Sequence, residues 1–239
     1  MKYLYGPVKS RRLGFSLGIS LTPYKTCDFD CIYCQLGKTT NLTLERKEYI
    51  RVSAIIDELK TWLSSNKETA QGLEYITLSG SGEPTLNTGC GELITEVKKL
   101  TSLKIAVLTN ASLLTDGGVW RQLWGADLVV PSLDAVTQDL FARIDRPHPG
   151  IKIEEIIAGL TAFRKEFRGK IWLEVMLLKG INDDIRHIRK LKDVIDEISP
   201  DRIQLNSPVR TTAEAGIQAV AKGKLKKIKE ILGEKAELF

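Results

Sequence analysis

Residues 27–34 read Cys27-Asp28-Phe29-Asp30-Cys31-Ile32-Tyr33-Cys34, three thiols within one turn-sized segment. Three sulfurs this close can hold three corners of a cubane iron–sulfur cluster, and soft thiolates suit that task. A structural zinc site closes with four ligands, and a ferredoxin-type [4Fe–4S] centre uses four cysteines. The only other cysteine here is the distant Cys90. The economical reading is a [4Fe–4S] cluster held by Cys27, Cys31 and Cys34, with one iron left open. Two competitors stand beside it: inert buried cysteines, and a zinc site completed by His148 or His187, neither of which sits at a ligand-like spacing. Asp28 and Asp30 read as turn residues whose carboxylates cap local backbone donors.

The 239 residues suffice for one sizeable core, so a single domain is expected over 1–239. An apolar share of 43% suits a globular protein, and no apolar run approaches the ~20 residues of a membrane span. A formal charge of +5 permits a polyanionic partner such as tRNA without requiring one. Few cysteines and no secretory leader argue against a disulfide framework and for a reducing, cytoplasmic setting.

Strand-like runs at 15–21, 75–79, 104–109, 128–133, 171–178 and 202–206 alternate with segments of helical period. Val52, Ile55, Ile56, Leu59, Trp62 and Leu63 form one stripe; Leu93, Ile94, Val97 and Leu100 a second. Ile153, Ile156, Ile157, Leu160 and Phe163 form a third, and Ile188, Leu191, Val194, Ile195 and Ile198 a fourth, which stops at Ser199-Pro200. Repeated strand–helix units imply parallel strands in an α/β fold, either a doubly wound sheet or an incomplete barrel. Both place chemistry at the carboxyl ends of the strands. The cysteine loop, Gly80–Glu83, Asn110, Ser132 with Asp134, Gly180–Asp184 and Asn206–Pro208 all fall at such ends. Beyond a loop from Ser207, residues Ile217 to Leu232 are expected to form a terminal amphipathic helix. Its outer face carries Lys222, Lys224, Lys226, Lys227 and Lys229 and reads as solvated, with an RNA-contacting edge as the alternative.

The Cys-x3-Cys-x2-Cys spacing with an aromatic before the last cysteine, joined to Leu78-Ser79-Gly80-Ser81-Gly82-Glu83-Pro84-Thr85-Leu86, resembles the radical S-adenosylmethionine (SAM) superfamily. The resemblance implies a partial (β/α)6 barrel of TIM type, with its core at about 13–206 and a loop and helix at 207–239. It implies a [4Fe–4S] cluster whose open iron chelates SAM, and a low-potential electron donor such as ferredoxin or flavodoxin. An electron from the reduced cluster would split SAM to methionine and a 5′-deoxyadenosyl radical. By the same resemblance Tyr33 lies against adenine, Leu178 flanks it, and Gly80, Gly82 and Glu83 serve the methionyl amino group. Ser132 lies on the ribose, with Asp134 as competitor, and Asn110 and Asn206 stand at the same rim.

Glu174 is the one acid in the apolar run 172–178, and a lone carboxylate there needs a partner. Ribose, the SAM ammonium or a buried arginine would serve. Lys25, Arg143, Arg146, Lys179 and Arg210, with the Ser10-Arg11-Arg12-Leu13-Gly14 stretch that leads into the first strand, are the cations available for the SAM carboxylate or the substrate. Cys90 reads as a small core residue.

Pro23-Tyr24-Lys25-Thr26-Cys27, Cys31-Ile32-Tyr33-Cys34-Gln35-Leu36-Gly37 and Ser132-Leu133-Asp134 are similar to the group related to the tRNA wyosine-base (4-demethylwyosine) synthases. Those enzymes carry a second cluster on three further cysteines, for which this chain has only Cys90. The Gly180-Ile181-Asn182-Asp183-Asp184 loop resembles glycyl-radical activating enzymes, which act on a partner protein. Outside enzymology, an Fe–S electron-transfer or binding module is the alternative. The substrate is not specified by these residues, RNA and peptide being among the candidates.

Overall fold

The computed structural model describes residues 1–239. In chain order the elements are β1 (Leu4–Ser10), β2 (Gly14–Ile19), β3 (Thr26–Cys27), β4 (Asn41–Leu42), α1 (Val52–Ser65), α2 (Lys67–Gln71) and β5 (Tyr75–Leu78). Next come α3 (Cys90–Leu100), β6 (Lys104–Thr109), α4 (Gly117–Leu123), β7 (Leu128–Pro131), α5 (Gln138–Ile144) and α6 (Ile153–Glu166). The chain ends with β8 (Lys170–Met176), α7 (Ile185–Ile198), β9 (Arg202–Asn206), α8 (Lys222–Leu232) and β10 (Ala236–Leu238). One sheet of eight strands runs β1-β2-β5-β6-β7-β8-β9-β10 and curls into a partial barrel that stays open between its edges. Every pairing from β2 to β10 is parallel, as strand–helix–strand crossovers require, and only β1 runs antiparallel.

Strand alternation divides the sheet into two chemically different faces. On β8, Ile171, Leu173 and Val175 are fully buried in one cluster of 48 apolar residues that also holds the helix stripes. Trp172, Glu174 and Met176 point the other way, into the barrel lumen. The lumen floor is a small apolar plug of Leu13, Ala106, Leu128 and Val130, and polar groups stand above it. The helices are bounded by the signals their sequence carries. Asp184 accepts from the Arg186 amide (3.0 Å) to open α7, and left-handed Ser199 (φ +51°) closes it before Pro200. Glu154 and Glu155 open α6 and Arg164 and Lys165 close it, each sign suited to its helix end.

All six expected parallel strands are present, those at 104–109 and 202–206 with the expected bounds. The sheet's two edges depart from the expectation. β1 carries Gly6 and Pro7 and shows three exposed positions, so it lacks an apolar run, yet it pairs with β2 as an edge strand. The C-terminal segment is also more than a loop and helix. α8 begins only at Lys222, leaving Ile217 and Val220 outside it, and residues 236–238 form β10 against β9. No helix is long and apolar enough to cross a membrane.

β10 makes the outermost barrel strand a structural element, because Ala236 is fully buried against the core. Ala236→Asp buries an unpaired carboxylate and should cost about 3 kcal/mol or more, lowering Tm by about 6–12 °C. Glu237, whose carboxylate is 44% exposed beside Arg202, should tolerate alanine within about 1 kcal/mol. Thermal unfolding of the two variants checks this; equal losses would show that β10 does not pack as described.

Candidate active site on the cysteine loop

The cysteine loop is sewn to its surroundings by main chain on both flanks. Lys25, in the left-handed region at φ +55°, donates its amide to Ser81 O (2.6 Å), and its own carbonyl accepts from Asn41 (3.1 Å). On the opposite flank the amides of Asp30 and Ile32 reach the carbonyls of Asp145 (3.1 Å) and Ile144 (2.9 Å), and His148 N reaches Asp28 O (2.7 Å). The loop therefore bridges the ends of β2 and β5 to the segment after α5.

Gly80–Glu83 lies under this loop. Gly82 is so close to it that a Cβ would stand 1.7 Å from the Thr26 carbonyl oxygen, so only glycine fits. Glu83 is buried and receives Thr85 N (3.0 Å), Thr85 Oγ1 (2.6 Å), Thr109 Oγ1 (2.7 Å) and Asn110 N (2.8 Å). It caps the short 3-10 turn Pro84–Leu86 while tying the end of β5 to the end of β6. Burial, then the neighbouring Asp28, raises its carboxyl to about 7.

Cys27, Cys31 and Cys34 are free, partly accessible thiols. Cys34 Sγ accepts from Lys25 Nζ at 3.1 Å, Cys31 Sγ lies 3.5 Å from Asp145 Oδ1, and Cys27 Sγ stands 3.8 Å from Asn110 Nδ2. Burial, helped by Asp28 at Cys27 and Asp145 at Cys31, pushes both thiols well up. Such thiols become thiolates only beside a strong local cation, which a bound metal centre provides. Three free thiols on one loop, with the fourth cysteine buried elsewhere, are soft donors that fit a [4Fe–4S] cluster with one iron open.

Two further carboxylates sit behind the loop. Asp134 accepts from the Tyr33 hydroxyl and from Met176 N (2.7 Å), and burial raises it to about 7. Asp145 is raised by burial and by Asp134. Asp28 accepts from Asn110 Nδ2 (2.5 Å) and the Ser112 hydroxyl, and burial raises it too.

The structure brings Tyr33, Asn110 and Ser132 together around one narrow cavity, with Asp134 and Asp145. Glu174 and Asn206 line a separate, larger cavity and bond to each other at 3.0 Å. Glu174 pairs with Arg12, an arginine that is partly exposed rather than buried. Leu178 is fully buried with Ile32 and Ile144, and Tyr33 packs against them. Among the cations, Lys25 faces Cys34, Arg146 pairs with Glu214 (2.6 Å), Lys179 donates to Gln218 (3.0 Å) and Arg210 to Gln35 (3.2 Å). Arg143 is exposed. In the Gly180–Asp184 loop, Asn182 is wholly buried and bonds Leu178 N, Met176 O and Asp134 O at 2.7–2.9 Å. Asp28 and Asp145 escaped the sequence reading as site residues. Their contacts span 82 and 114 positions, so no local pattern could reveal them.

A family model described as the Radical SAM superfamily matches residues 21–191. A protein named GTPase Obg from Brachyspira hyodysenteriae is 42% identical over 229 residues; the match covers 96% of this chain but only 33% of that protein. A UPF0026 protein of Methanocaldococcus jannaschii is 34% identical over 218 residues, covering 91% of this chain and 67% of its own. Among solved structures, a radical SAM methyltransferase from Sphaerobacter thermophilus superposes with TM-score 0.72 at 18% identity, over 94% of this chain and 65% of that one. TYW1 with a bound lysine-pyruvate adduct gives 0.65 at 20%, over 92% and 74%. At such identities the two structures attest the fold.

The Gly82 contact predicts a sharp contrast between glycines. Gly82→Ala must displace backbone and should cost about 2 kcal/mol or more, at least about 4 °C of Tm. Gly223→Ala, in α8 with open space around it, should leave Tm unchanged or raise it. Calorimetric scans decide; an unaffected Gly82→Ala would show that the two loops are not in contact.

Proposed function

Because this chain belongs to the radical SAM superfamily, we propose that Cys27, Cys31 and Cys34 ligate a [4Fe–4S] cluster whose remaining iron is left to SAM. The chain is an enzyme, and members of its superfamily use these two cofactors; the electron-carrier alternative falls with that assignment. When bound, the cluster supplies the electron that cleaves SAM to methionine and a 5′-deoxyadenosyl radical, which takes hydrogen from the substrate. The observation that carries the ligand assignment is three free thiols on one loop, fixed by main chain at the carboxyl ends of β2, β5 and the segment after α5.

The remaining residues have roles that follow from where they stand. Gly82 brings the β5 loop against the cysteine loop, and Gly80 (φ +104°) lets that loop turn. Glu83, holding Asn110 N, serves the methionyl amino group directly or through Asn110. Tyr33 is held by Asp134, so its ring presents a fixed face to adenine, with Leu178 behind it. Ser132 takes the ribose hydroxyls, while Asp134 is committed to Tyr33 and Met176. Glu174 and Asn206 border the lumen cavity where ligand and substrate meet.

Within the superfamily, the motifs quoted for the wyosine-synthase-like group and the shared fold of TYW1 support a place near that group. The two-cluster chemistry of that group does not follow. Cys90 is wholly buried at the start of α3, and its thiol is raised to about 12 by burial. It cannot join a second cluster without unpacking the core. A low-potential donor such as ferredoxin or flavodoxin is the electron source, and partly accessible free thiols suit the reducing cytoplasm.

Protein reconstituted anaerobically, reduced with dithionite and given SAM should release 5′-deoxyadenosine and methionine, read by chromatography. Cys27→Ala, Cys31→Ala and Cys34→Ala should each lose most bound iron and brown absorbance, whereas Cys90→Ala should keep both. An intact cluster with no cleavage products, or full iron in any of the three single variants of Cys27, Cys31 and Cys34, would reject the proposal.

A further inference from the structure

A cavity of about 390 Å³ opens from the lumen between the β1–β2 hairpin and the segment after β9. It reaches Gln35, the residue after Cys34, so it adjoins the cysteine loop. Four cations line it, Lys9, Arg11, Arg12 and Arg210, against one carboxylate, Glu174. Arg12 already pairs with Glu174, and Arg210 donates only to the neutral Gln35 Oε1. Lys9 and Arg11 make no ion pair. The turn presenting Arg12 is rigid, because Ser10 Oγ accepts from the amides of Arg12 and Leu13, both at 3.2 Å. Like charges converging on a concave wall repel one another unless an anion enters between them.

Deeper in the lumen, outside the lining of this cavity, lies one further polar side chain. Gln204 stands in register with Glu174 on the lumen side of β9. It is wholly buried, and neither its amide oxygen nor its amide nitrogen has a partner. An orphaned amide at this depth is expensive and unusual in a finished core.

The geometry points to a small polyanion as the substrate of this site, a phosphate ester or a polycarboxylate carrying two or more negative charges. The assignment rests on the radical SAM reading above, since it places the anion beside the thiols that would hold the cluster. The volume falls within the range of small-molecule sites. Arginine, three of the four cations, pairs bidentately with both phosphate and carboxylate. A polynucleotide would instead need cations spread along an open track. Here they face one cavity, and on the lysine-rich α8 Lys224 is committed to Asp183 at 2.8 Å.

The test is titration calorimetry of cluster-loaded, SAM-bound protein with three probes: inorganic pyrophosphate, citrate and bulk tRNA. Pyrophosphate or citrate should bind, the tighter of the two identifying the anion type. Affinity should fall at least tenfold in Arg11→Gln and in Arg210→Gln, both exposed positions that the fold tolerates, and further in the double variant. The charge reversal Arg11→Glu should abolish binding. No heat from either small anion, undiminished binding in the variants, or tRNA binding that excess pyrophosphate does not displace would overturn the assignment. SAM cleavage by the same wild-type sample is read in parallel. Cleavage without anion binding rejects only this cavity's role, whereas absence of cleavage rejects the enzyme reading beneath it.

Discussion

Backbone of the Gly80–Glu83 loop lies against backbone of the cysteine loop at a distance that admits no side chain between them, with Gly82 facing the Thr26 carbonyl. Everything distinctive about the site follows from that contact. It fixes where the first cysteine stands relative to β5, and it lets Glu83 reach across to the end of β6. Glu83 then orders Thr109 and Asn110, and Asn110 holds Asp28 beside Cys27. One close approach thus couples three consecutive strand ends into a single rim. Such coupling is stiff because its members are buried and hydrogen-bonded, so displacing one leaves others unsatisfied.

The electrostatics of the rim are set by burial more than by pairing. Asp28, Glu83, Asp134 and Asp145 all have raised carboxyls, and desolvation leads in each case. Few countercharges approach the thiols; Lys25 on Cys34 is the near one. A cluster held by these thiols would meet carboxyl groups at Cys27 and Cys31, which burial favours as the neutral acid, and the Lys25 amine at Cys34, an asymmetric setting.

The parallel strands were legible because each is a compact apolar run between helix-period stripes, and the rim was legible because polar and glycine-rich segments recur at strand ends. β1 escaped because Gly6 and Pro7 interrupt its pattern, and β10 because three residues carry no periodicity. Gly82 was legible as a special glycine. Its neighbour in space, the Thr26 carbonyl, was not, since sequence reports the need for a bare backbone and not what approaches it. Glu174 shows the same limit. Its need for a partner was readable, while Arg12, 162 residues away, was one of several cations that could have met it. Asp28 read as a turn residue because its short side chain and position suit one, yet its carboxylate faces inward to Asn110 and Ser112.

The proposed enzyme stands or falls on three thiolates holding a cluster and leaving one iron to SAM. Electron paramagnetic resonance of the reconstituted, dithionite-reduced protein, recorded with and without SAM, reads this at the metal itself. A reduced [4Fe–4S] signal should appear, and its g-values should shift when SAM is added. A signal indifferent to SAM, or protein that takes up one zinc per chain and no iron, would overturn the proposal.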